Sequence, residues 1–264
     1  MKRDSLEKFY TDPKISLECI KTFVQKVKPK NPDIILEPSA GNGSFSSYLF
    51  DMFENVEAID IEPDEEKIKK MSFFDYQVTK KTQIVHVIGN PPFGRQSTLA
   101  KQFIKKAASF AESITFILPK SFRKESMQNA FPKNFHLLHE EDIPSNAFLV
   151  NKVRHNVPCI LQIWVKKNYD RSIPKKEIPT YYSFVKKSES HTFSLRRVGG
   201  TAGTLDFNTK NKSEQSHYFV RLLKSQEDFE HTYNFHKNFR HDNTTGPKSI
   251  SKTEFIRYLN SLYI

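Results

Sequence analysis

Short apolar runs alternate with amphipathic segments along the first two-thirds of the chain. Apolar, β-branched runs of this length predict buried strands, and apolar residues spaced three and four apart predict helices. Ser16 stands at the start of the first amphipathic segment and is expected to cap it. The pattern predicts strands at 55–63, 83–89, 113–119, 135–143 and 158–167, helices at 16–27, 64–71, 97–111 and from 121, and a strand–turn–helix unit at 33–50.

The order of these elements predicts the fold class. Strands that alternate with helices form a mainly parallel sheet with helices on both faces, so we expect a doubly wound α/β domain. The last two strands, 135–143 and 158–167, have no helix between them and are expected to pair antiparallel at one edge. A short helix is also expected from Ser251, with Phe255, Leu259 and Leu262 on one side.

The composition is that of a globular protein. The 264 residues are 37% hydrophobic and 27% charged, which is typical of folded chains. No apolar run approaches the roughly 20 residues that a membrane span needs. The polar start, Met1–Ser5, lacks the apolar core of a signal peptide, and Cys19 and Cys159 are the only cysteines. We therefore expect a soluble intracellular protein, in the cytoplasm or, in a eukaryotic cell, the nucleus.

Positive charge is concentrated after the alternating region. Residues 1–164 carry 23 Lys and Arg against 20 Asp and Glu, whereas residues 165–264 carry 18 against 10. Within 166–187 basic pairs alternate with aromatic residues, a composition that can neutralise phosphates and stack on exposed bases. A solvated lysine-rich surface is the alternative. We expect residues 168–264 to be a basic extension that contacts nucleic acid through Lys175, Lys176, Lys186, Lys187, Arg196 and Arg197.

A rigid corner follows the predicted strand at 83–89. It consists of Asn90, Pro91, Pro92 and Phe93. Two adjacent prolines exclude both a helix and an ordinary ladder strand at this point. A simple turn is one interpretation of the corner. The other is a binding site, because ligands of open α/β sheets lie beyond the carboxyl ends of the strands.

Two further strand ends carry candidate ligand-binding residues. Glu37–Gly43 follows the first core strand, and its glycines permit a tight turn and close approach of a ligand. Asp60 ends the next strand 19 residues after Gly41, near the spacing of about 20 at which an acid binds ribose hydroxyls in dinucleotide folds. Glu62 would share a face with Asp60 if the strand continued that far. Asp75 is a third acid near a strand end.

Taken in order, these segments resemble the motifs of class I S-adenosylmethionine-dependent methyltransferases. The matching segments are ILEPSAGNGSF, AIDIEP, FFDY and IGNPPFG, and KFYTDPKIS resembles the motif preceding the cofactor loop in DNA adenine methyltransferases. The resemblance covers residues 8–167 and departs from the family at Ala40, where many members have glycine. It implies a Rossmann-like catalytic domain over residues 1–167 that binds S-adenosylmethionine through Tyr10, Thr11, Glu37, Pro38, Ala40, Gly41, Gly43, Asp60, Ile61, Phe74, Asp75 and Asn90.

The Asn-Pro-Pro-Phe quartet resembles the catalytic motif of the members that methylate an exocyclic amine, above all adenine N6. The lone pair of that nitrogen is delocalised into the ring, which makes it a poor nucleophile. Carbonyl oxygens of the Asn90 side chain and the Pro91 main chain would accept its two hydrogens and turn the lone pair toward the methyl group. Pro92 would keep the corner rigid, and Phe93 would stack on a flipped base.

The resemblance favours DNA over RNA because a basic extension follows the catalytic domain. The segment 195–207, LRRVGGTAGTLDF, also resembles one found in some DNA adenine methyltransferases, and a hairpin turn is its other interpretation. Three alternative functions remain: methylation of RNA, methylation of a protein glutamine side chain, and a role as an inactive nucleic-acid-binding subunit. No metal site is expected, because the spacing of His231, His236 and His241 fits no common metal-ligand pattern.

Overall fold

The protein is described by a computed structural model. The chain contacts divide it into two compact units, residues 1–173 and 174–264, whereas the sequence pattern places the boundary at residue 167. His231, His236, His241 and Leu262 lie outside the described residues. The described ranges are 9–79, 82–150, 153–223, 243–244 and 248–261.

The first unit contains a seven-stranded sheet and a small three-stranded sheet. The strand order of the large sheet is β4-β3-β2-β5-β6-β10-β7, and that of the small sheet is β1-β8-β9. The strands are β1 (Tyr10–Thr11), β2 (Ile34–Glu37), β3 (Val56–Asp60), β4 (Lys69–Lys70), β5 (Val85–Gly89), β6 (Ser113–Pro119), β7 (Phe135–Asp142), β8 (Phe148–Val150), β9 (Val153–His155) and β10 (Cys159–Lys166). The helices are α1 (Pro13–Val27), α2 (Ser46–Met52), α3 (Thr98–Ala108) and α4 (Glu125–Gln128).

The directions of the strands confirm the predicted fold class. The neighbours from β4 to β6 are all parallel, and β10 alone runs antiparallel to its neighbours β6 and β7. This mixed, mostly parallel α/β sheet is typical of the Rossmann-like methyltransferase fold. The antiparallel pair expected at one edge is also confirmed. Strand order reverses between β2 and β5, which makes that position the switch point of the sheet.

Buried side chains cover both faces of the large sheet. On one face Leu36 and Val87 pack with Ile104 of α3. On the other, Ile35 packs with Phe23 of α1. All five side chains are fully buried, and burial of a large apolar side chain contributes roughly 1.5–3 kcal/mol to folding. The two clusters therefore hold helices against both faces, as a doubly wound sheet requires.

The start of α1 differs from the prediction. Asp12, rather than Ser16, caps the helix, and its carboxylate accepts the main-chain N–H of Lys14 at 2.9 Å. Pro13 follows as the first helical residue. An N–H at this position would have no partner within the helix, so the lack of one in proline costs no hydrogen bond. Ser16 lies within the first turn and is buried.

The helix predicted at 64–71 is wrong. The segment forms turns that lead into β4, which pairs with the end of β3. The main-chain N–H of Met71 donates to the carbonyl of Asp60 at 2.8 Å. Pairing with a neighbouring strand prevails here because one short turn of isolated helix is only marginally stable.

The second unit contains a four-stranded antiparallel sheet with a helix against one face. Its strand order is β11-β14-β12-β13, and segment 195–207 includes the β12–β13 connection, a hairpin. The buried side chains of Phe255 and Leu259 pack on the sheet, which confirms the expected helix near Ser251. The elements are β11 (Tyr182–Val185), β12 (Phe193–Arg196), β13 (Leu205–Asp206), β14 (His217–Leu222) and α5 (Lys252–Ser261).

Candidate active site

A cavity of about 310 Å³ lies in the first unit at the carboxyl ends of β2, β3 and β5. The segments that follow these strands supply most of its wall, so the cavity opens at the switch point of the sheet. Its volume is within the range of small-molecule sites, about 300–1,000 Å³. The position is the one that the strand-end motifs predict.

Most of the predicted site residues line this cavity. They are Tyr10, Thr11, Glu37, Pro38, Ala40, Gly41, Asp60, Ile61, Phe74, Asn90, Pro91, Pro92 and Phe93.

Gly43 and Asp75 are the predicted cofactor residues that do not line the cavity. Phe73–Asp75 forms a 3-10 turn after β4. This turn buries Phe73 in the core and leaves Asp75 exposed. Gly43 instead has a positive φ of 79° and accepts the N–H of Ser47 with its carbonyl. Its conformation fits the turn that opens α2.

The loop that follows β2 favours glycine at position 41. Its φ is 52°, and a Cβ there would approach Cε1 of Tyr10 to 2.8 Å. A side chain at this position would therefore clash with an aromatic ring as well as strain the backbone. The Tyr10 hydroxyl donates to Asp64 at 2.6 Å. Burial, followed by this hydrogen bond, raises the pKa of Tyr10 and keeps the hydroxyl a donor.

Asp60 supports the loop from the end of β3. Its carboxylate accepts the main-chain N–H groups of Gly41 and Glu62, each at 2.8 Å. The strand ends at Asp60, so the predicted alternation that would put Glu62 on the same strand face does not apply. Each carboxylate oxygen can accept more than one bond. Asp60 can therefore hold the loop and still accept hydrogen bonds from a ligand.

The Asn90 corner is fixed from two sides. The hydroxyl of Ser39 donates to the main-chain carbonyl of Asn90 at 3.2 Å. The side-chain Nδ2 of Asn90 donates to the main-chain carbonyl of Phe9 at 3.1 Å. The buried Oδ1 of Asn90 has no hydrogen-bond partner among the described residues. The corner therefore presents a fixed acceptor without a donor.

Unpartnered polar atoms are concentrated at the cavity. Among the described residues, the buried side-chain oxygens without a hydrogen-bond partner include one in each of the lining residues Thr11, Glu37 and Asn90. A buried polar group without a partner costs about 1–3 kcal/mol. Such atoms are rare in native proteins, so their concentration in residues of this wall is a feature that ordinary core packing does not account for.

Glu37 is the buried acid of the cavity. Burial raises its pKa to about 8, against a smaller opposing effect of hydrogen bonds from Ser46. Its Oε2 is one of the unpartnered atoms. A cationic ligand would favour the ionised carboxylate by direct charge interaction, whereas the protein without ligand favours the neutral acid.

Several lining residues are absent from the predicted site residues, and Glu62 is considered there only as a neighbour of Asp60 on the same strand face. Their apolar members lie at helical spacings or in core runs, where periodicity indicates packing and gives no separate signal for a ligand. The additional lining residues are Phe9, Ser39, Asn42, Ser44, Phe45, Glu62, Ser72, Phe73, Leu99 and Phe103.

The six basic residues predicted to contact nucleic acid belong to the second unit. Lys175, Lys176, Lys186 and Lys187 are exposed, although the Lys187 ammonium also donates to the carbonyl of Lys212 at 2.7 Å. Arg196 donates through Nε to the carbonyl of Val198 at 3.1 Å. The Arg197 guanidinium lies 5.3 Å from the centroid of the Tyr218 ring. Their role in substrate binding stays a prediction.

Neither a protein-family model nor a curated protein matches the sequence. Solved structures do match. A candidate RNA methyltransferase from Pyrococcus horikoshii is 16% identical with a TM-score of 0.49, and the match covers 62% of this chain and 90% of that one. A candidate class I S-adenosylmethionine-dependent methyltransferase from Listeria monocytogenes is 16% identical with a TM-score of 0.46, covering 63% of each chain.

A third match covers nearly all of the chain. The modification subunit of a candidate type I restriction enzyme from Vibrio vulnificus is 13% identical with a TM-score of 0.47. That match covers 98% of this chain and 62% of the other. At these identities the likeness is one of fold and does not extend to a substrate. No helix in the described part of the chain is long and apolar enough to cross a membrane.

Proposed function

We propose that this protein is an S-adenosylmethionine-dependent methyltransferase that modifies the N6 amine of adenine in nucleic acid, with DNA favoured over RNA. The observation that carries the proposal is the Asn90 corner, which lines the cavity and contains a buried side-chain oxygen without a partner among the described residues. An acceptor held in this way suits a substrate atom that bears hydrogens, and an exocyclic amine bears two.

The residues of the cavity fit the cofactor. S-adenosylmethionine supplies, when bound, an electrophilic methyl group on a positively charged sulfur. Asp60 would accept hydrogen bonds from ribose hydroxyls while it holds Gly41, and the absent side chain at Gly41 leaves room beside Tyr10. Ionised Glu37 would balance positive charge inside the wall. Phe74 and Phe103, which lie edge to face at 5.3 Å, would enclose a flat ring.

The corner would prepare the amine for reaction. Oδ1 of Asn90 and the carbonyl of Pro91 would accept the two amine hydrogens, so that the nitrogen becomes more tetrahedral and its lone pair points at the methyl group. The adjacent prolines and the bond from Ser39 hold these acceptors in place before substrate arrives, and such preorganisation is a large source of catalysis. Phe93 would stack on the base. The amine proton would leave to solvent after transfer.

The test compares substrates under identical conditions. Protein and methyl-labelled cofactor are incubated separately with adenine-containing duplex DNA, with RNA and with glutamine-containing protein, followed by mass spectrometry of nucleosides and peptides. We expect label in N6-methyladenine from DNA, and about 10²–10³-fold slower labelling with the Asn90→Ala variant. Label in RNA alone or in glutamine alone would replace the proposed substrate. Label in none of the three, with cofactor affinity absent, would overturn the enzyme assignment.

A further inference from the structure

The amide of Asn90, a residue that lines the cavity, can be oriented in two ways, and they differ in which end bonds to the neighbouring main chain. Its nitrogen and oxygen ends have nearly the same shape, so the surrounding hydrogen bonds decide the orientation. Nδ2 lies 3.1 Å from the main-chain carbonyl of Phe9. A carbonyl can accept a hydrogen bond and cannot donate one. The NH₂ end must therefore face Phe9, which leaves Oδ1 as the buried end of the amide without a partner among the described residues.

Phe9 belongs to a segment that is itself held firmly. We name residues 9–12 the N-terminal strap. Its strand β1 pairs with Leu149 and Phe148 of β8, and the N–H of Asp12 donates to the carbonyl of Ala147 at 2.8 Å. The ring of His155 packs edge-on against Phe9 at 6.0 Å. The strap is thus a strand of the small sheet, with regular hydrogen bonds to its neighbour.

An ion pair ties the strap to β9. The Asp12 carboxylate contacts Nη2 of Arg154 at 2.6 Å while its other oxygen caps α1. The Asp12 side chain is 9% exposed and that of Arg154 59%. Arg154 also donates to the carbonyl of Asn146 at 3.1 Å. These contacts fix the start of α1, and with it the position of the Phe9 carbonyl.

We propose that the main-chain carbonyl of Phe9 is a positioning group, which selects the orientation of the Asn90 amide and so restricts the corner to substrates whose reacting atom carries hydrogens. This inference rests on the proposed methyltransferase function. The inference assigns different roles to two parts of the chain. Asn90 touches the substrate, and the strap decides which atom of Asn90 does so.

The variant Asn90→Asp tests the orientation. When the introduced carboxyl group is ionised, it has no hydrogen to donate to Phe9 and would face the lone pairs of that carbonyl. When it is protonated, it could donate from one oxygen and accept with the other, as the native amide does. The turnover of the variant relative to wild type should therefore fall with rising pH, by up to about tenfold for each pH unit above the pKa of the introduced carboxyl group.

A ratio that is constant or rises with pH would overturn the inference, since an ionised carboxylate would then serve the amine at least as well without Phe9. Asn55→Asp, at an exposed position, is the matched control, and its ratio should stay constant. Cofactor affinity and thermal unfolding of Asn90→Asp, measured at each pH, confirm that the variant remains folded and loaded.

A second measurement needs no turnover. In protein labelled with ¹⁵N-asparagine, the side-chain signal that is missing from Asn90→Ala identifies Asn90. Its NH₂ protons should exchange with solvent at least about tenfold more slowly than those of exposed Asn55, because one of them is hydrogen-bonded and shielded. Equal exchange rates would overturn the positioning role. A wild-type protein that methylates nothing but shows this protection would contradict only the proposed function.

Discussion

The cavity of the first unit and the exposed lysines of the second unit present polar groups in opposite ways. At the cavity, Thr11, Glu37 and Asn90 each keep a buried polar atom without a partner among the described residues. In the second unit, Lys175 and Lys176 extend into solvent. A buried acceptor acts through its exact position and is sensitive to single atoms. An exposed charge acts through its number and is screened by salt.

This difference predicts how substitutions should behave in the two regions. In the cavity, removal of a single atom should change turnover or cofactor affinity strongly, whereas the same substitution at a residue outside the cavity should change them little. In the second unit, single substitutions should have small effects that accumulate, because phosphate contacts are nearly equivalent. Four experiments test the contrast.

The largest effect is expected at Asn90. Asn90→Ala removes the acceptor of the corner, and loss of one such preorganised group typically lowers turnover by about 10²–10³. Single-turnover kinetics with saturating labelled cofactor would measure it. Asn55→Ala, at an exposed position, should match wild type. An Asn90→Ala protein that keeps more than about a tenth of wild-type turnover would remove Asn90 from the chemistry.

A smaller effect is expected at Asp60. Asp60→Ala should weaken S-adenosylmethionine binding by about 1.5–3 kcal/mol, the usual contribution of hydrogen bonds to a charged group. It also removes the acceptor of the Gly41 N–H. Asp75→Ala is the matched comparison, and its affinity should be unchanged because Asp75 does not line the cavity. If calorimetry shows the greater loss of affinity for Asp75→Ala, the cofactor-binding role that the family resemblance implies for Asp75 would be supported instead.

The second unit should respond to salt. Replacing Lys175, Lys176, Lys186 and Lys187 with serine should weaken binding to all DNA sequences alike. It should also reduce the slope of log affinity against log salt concentration by up to about 0.9 for each lysine removed. Fluorescence anisotropy over a salt series would measure the slope. The control removes the same charge from exposed lysines of the first unit: Lys21, Lys26, Lys30 and Lys105. Equal slopes for the two quadruple variants would identify the first four lysines as a solvated surface.

The smallest effect concerns stability. Burial raises the pKa of Glu37 from 4.5 to about 8, so the folded protein binds a proton that the unfolded chain releases between these values. Stability should therefore fall as pH rises from about 4.5 to about 8. Glu37→Gln needs no proton and should melt above wild type at pH 8, by roughly 2–4 °C for each kcal/mol.

The comparison at pH 5 provides the check on this mechanism. At pH 5, only just above the pKa of 4.5 in the unfolded chain, little of the stability that is lost between pH 4.5 and pH 8 has yet been lost, so the advantage of Glu37→Gln should shrink. Glu66→Gln, at an exposed position, should show no such change with pH. A melting difference for Glu37→Gln that is the same at pH 5 and pH 8 would exclude proton linkage as its cause. All measurements are made without cofactor.

The sequence by itself determined the core strands and the place of the corner. Strand β6 occupies the predicted range 113–119, because seven consecutive buried residues leave a clear local pattern. The Asn-Pro-Pro-Phe corner follows β5 as expected, since proline restricts the backbone locally. Sequence failed at 64–71, where pairing of β4 with β3 prevailed over a weak helical pattern.

Only the tertiary structure decided which atoms meet at the site. Asn90 and Phe9 are 81 residues apart, and Asp60 and Gly41 are 19 apart. A hydrophobic pattern identifies the buried face of an element, and it does not specify the element or atom that lies opposite. The 3-10 turn after β4 likewise decided that Phe74 lines the cavity and Asp75 does not. These outcomes depend on strand order, the position of the strap and local turn geometry, which arise when distant segments pack together.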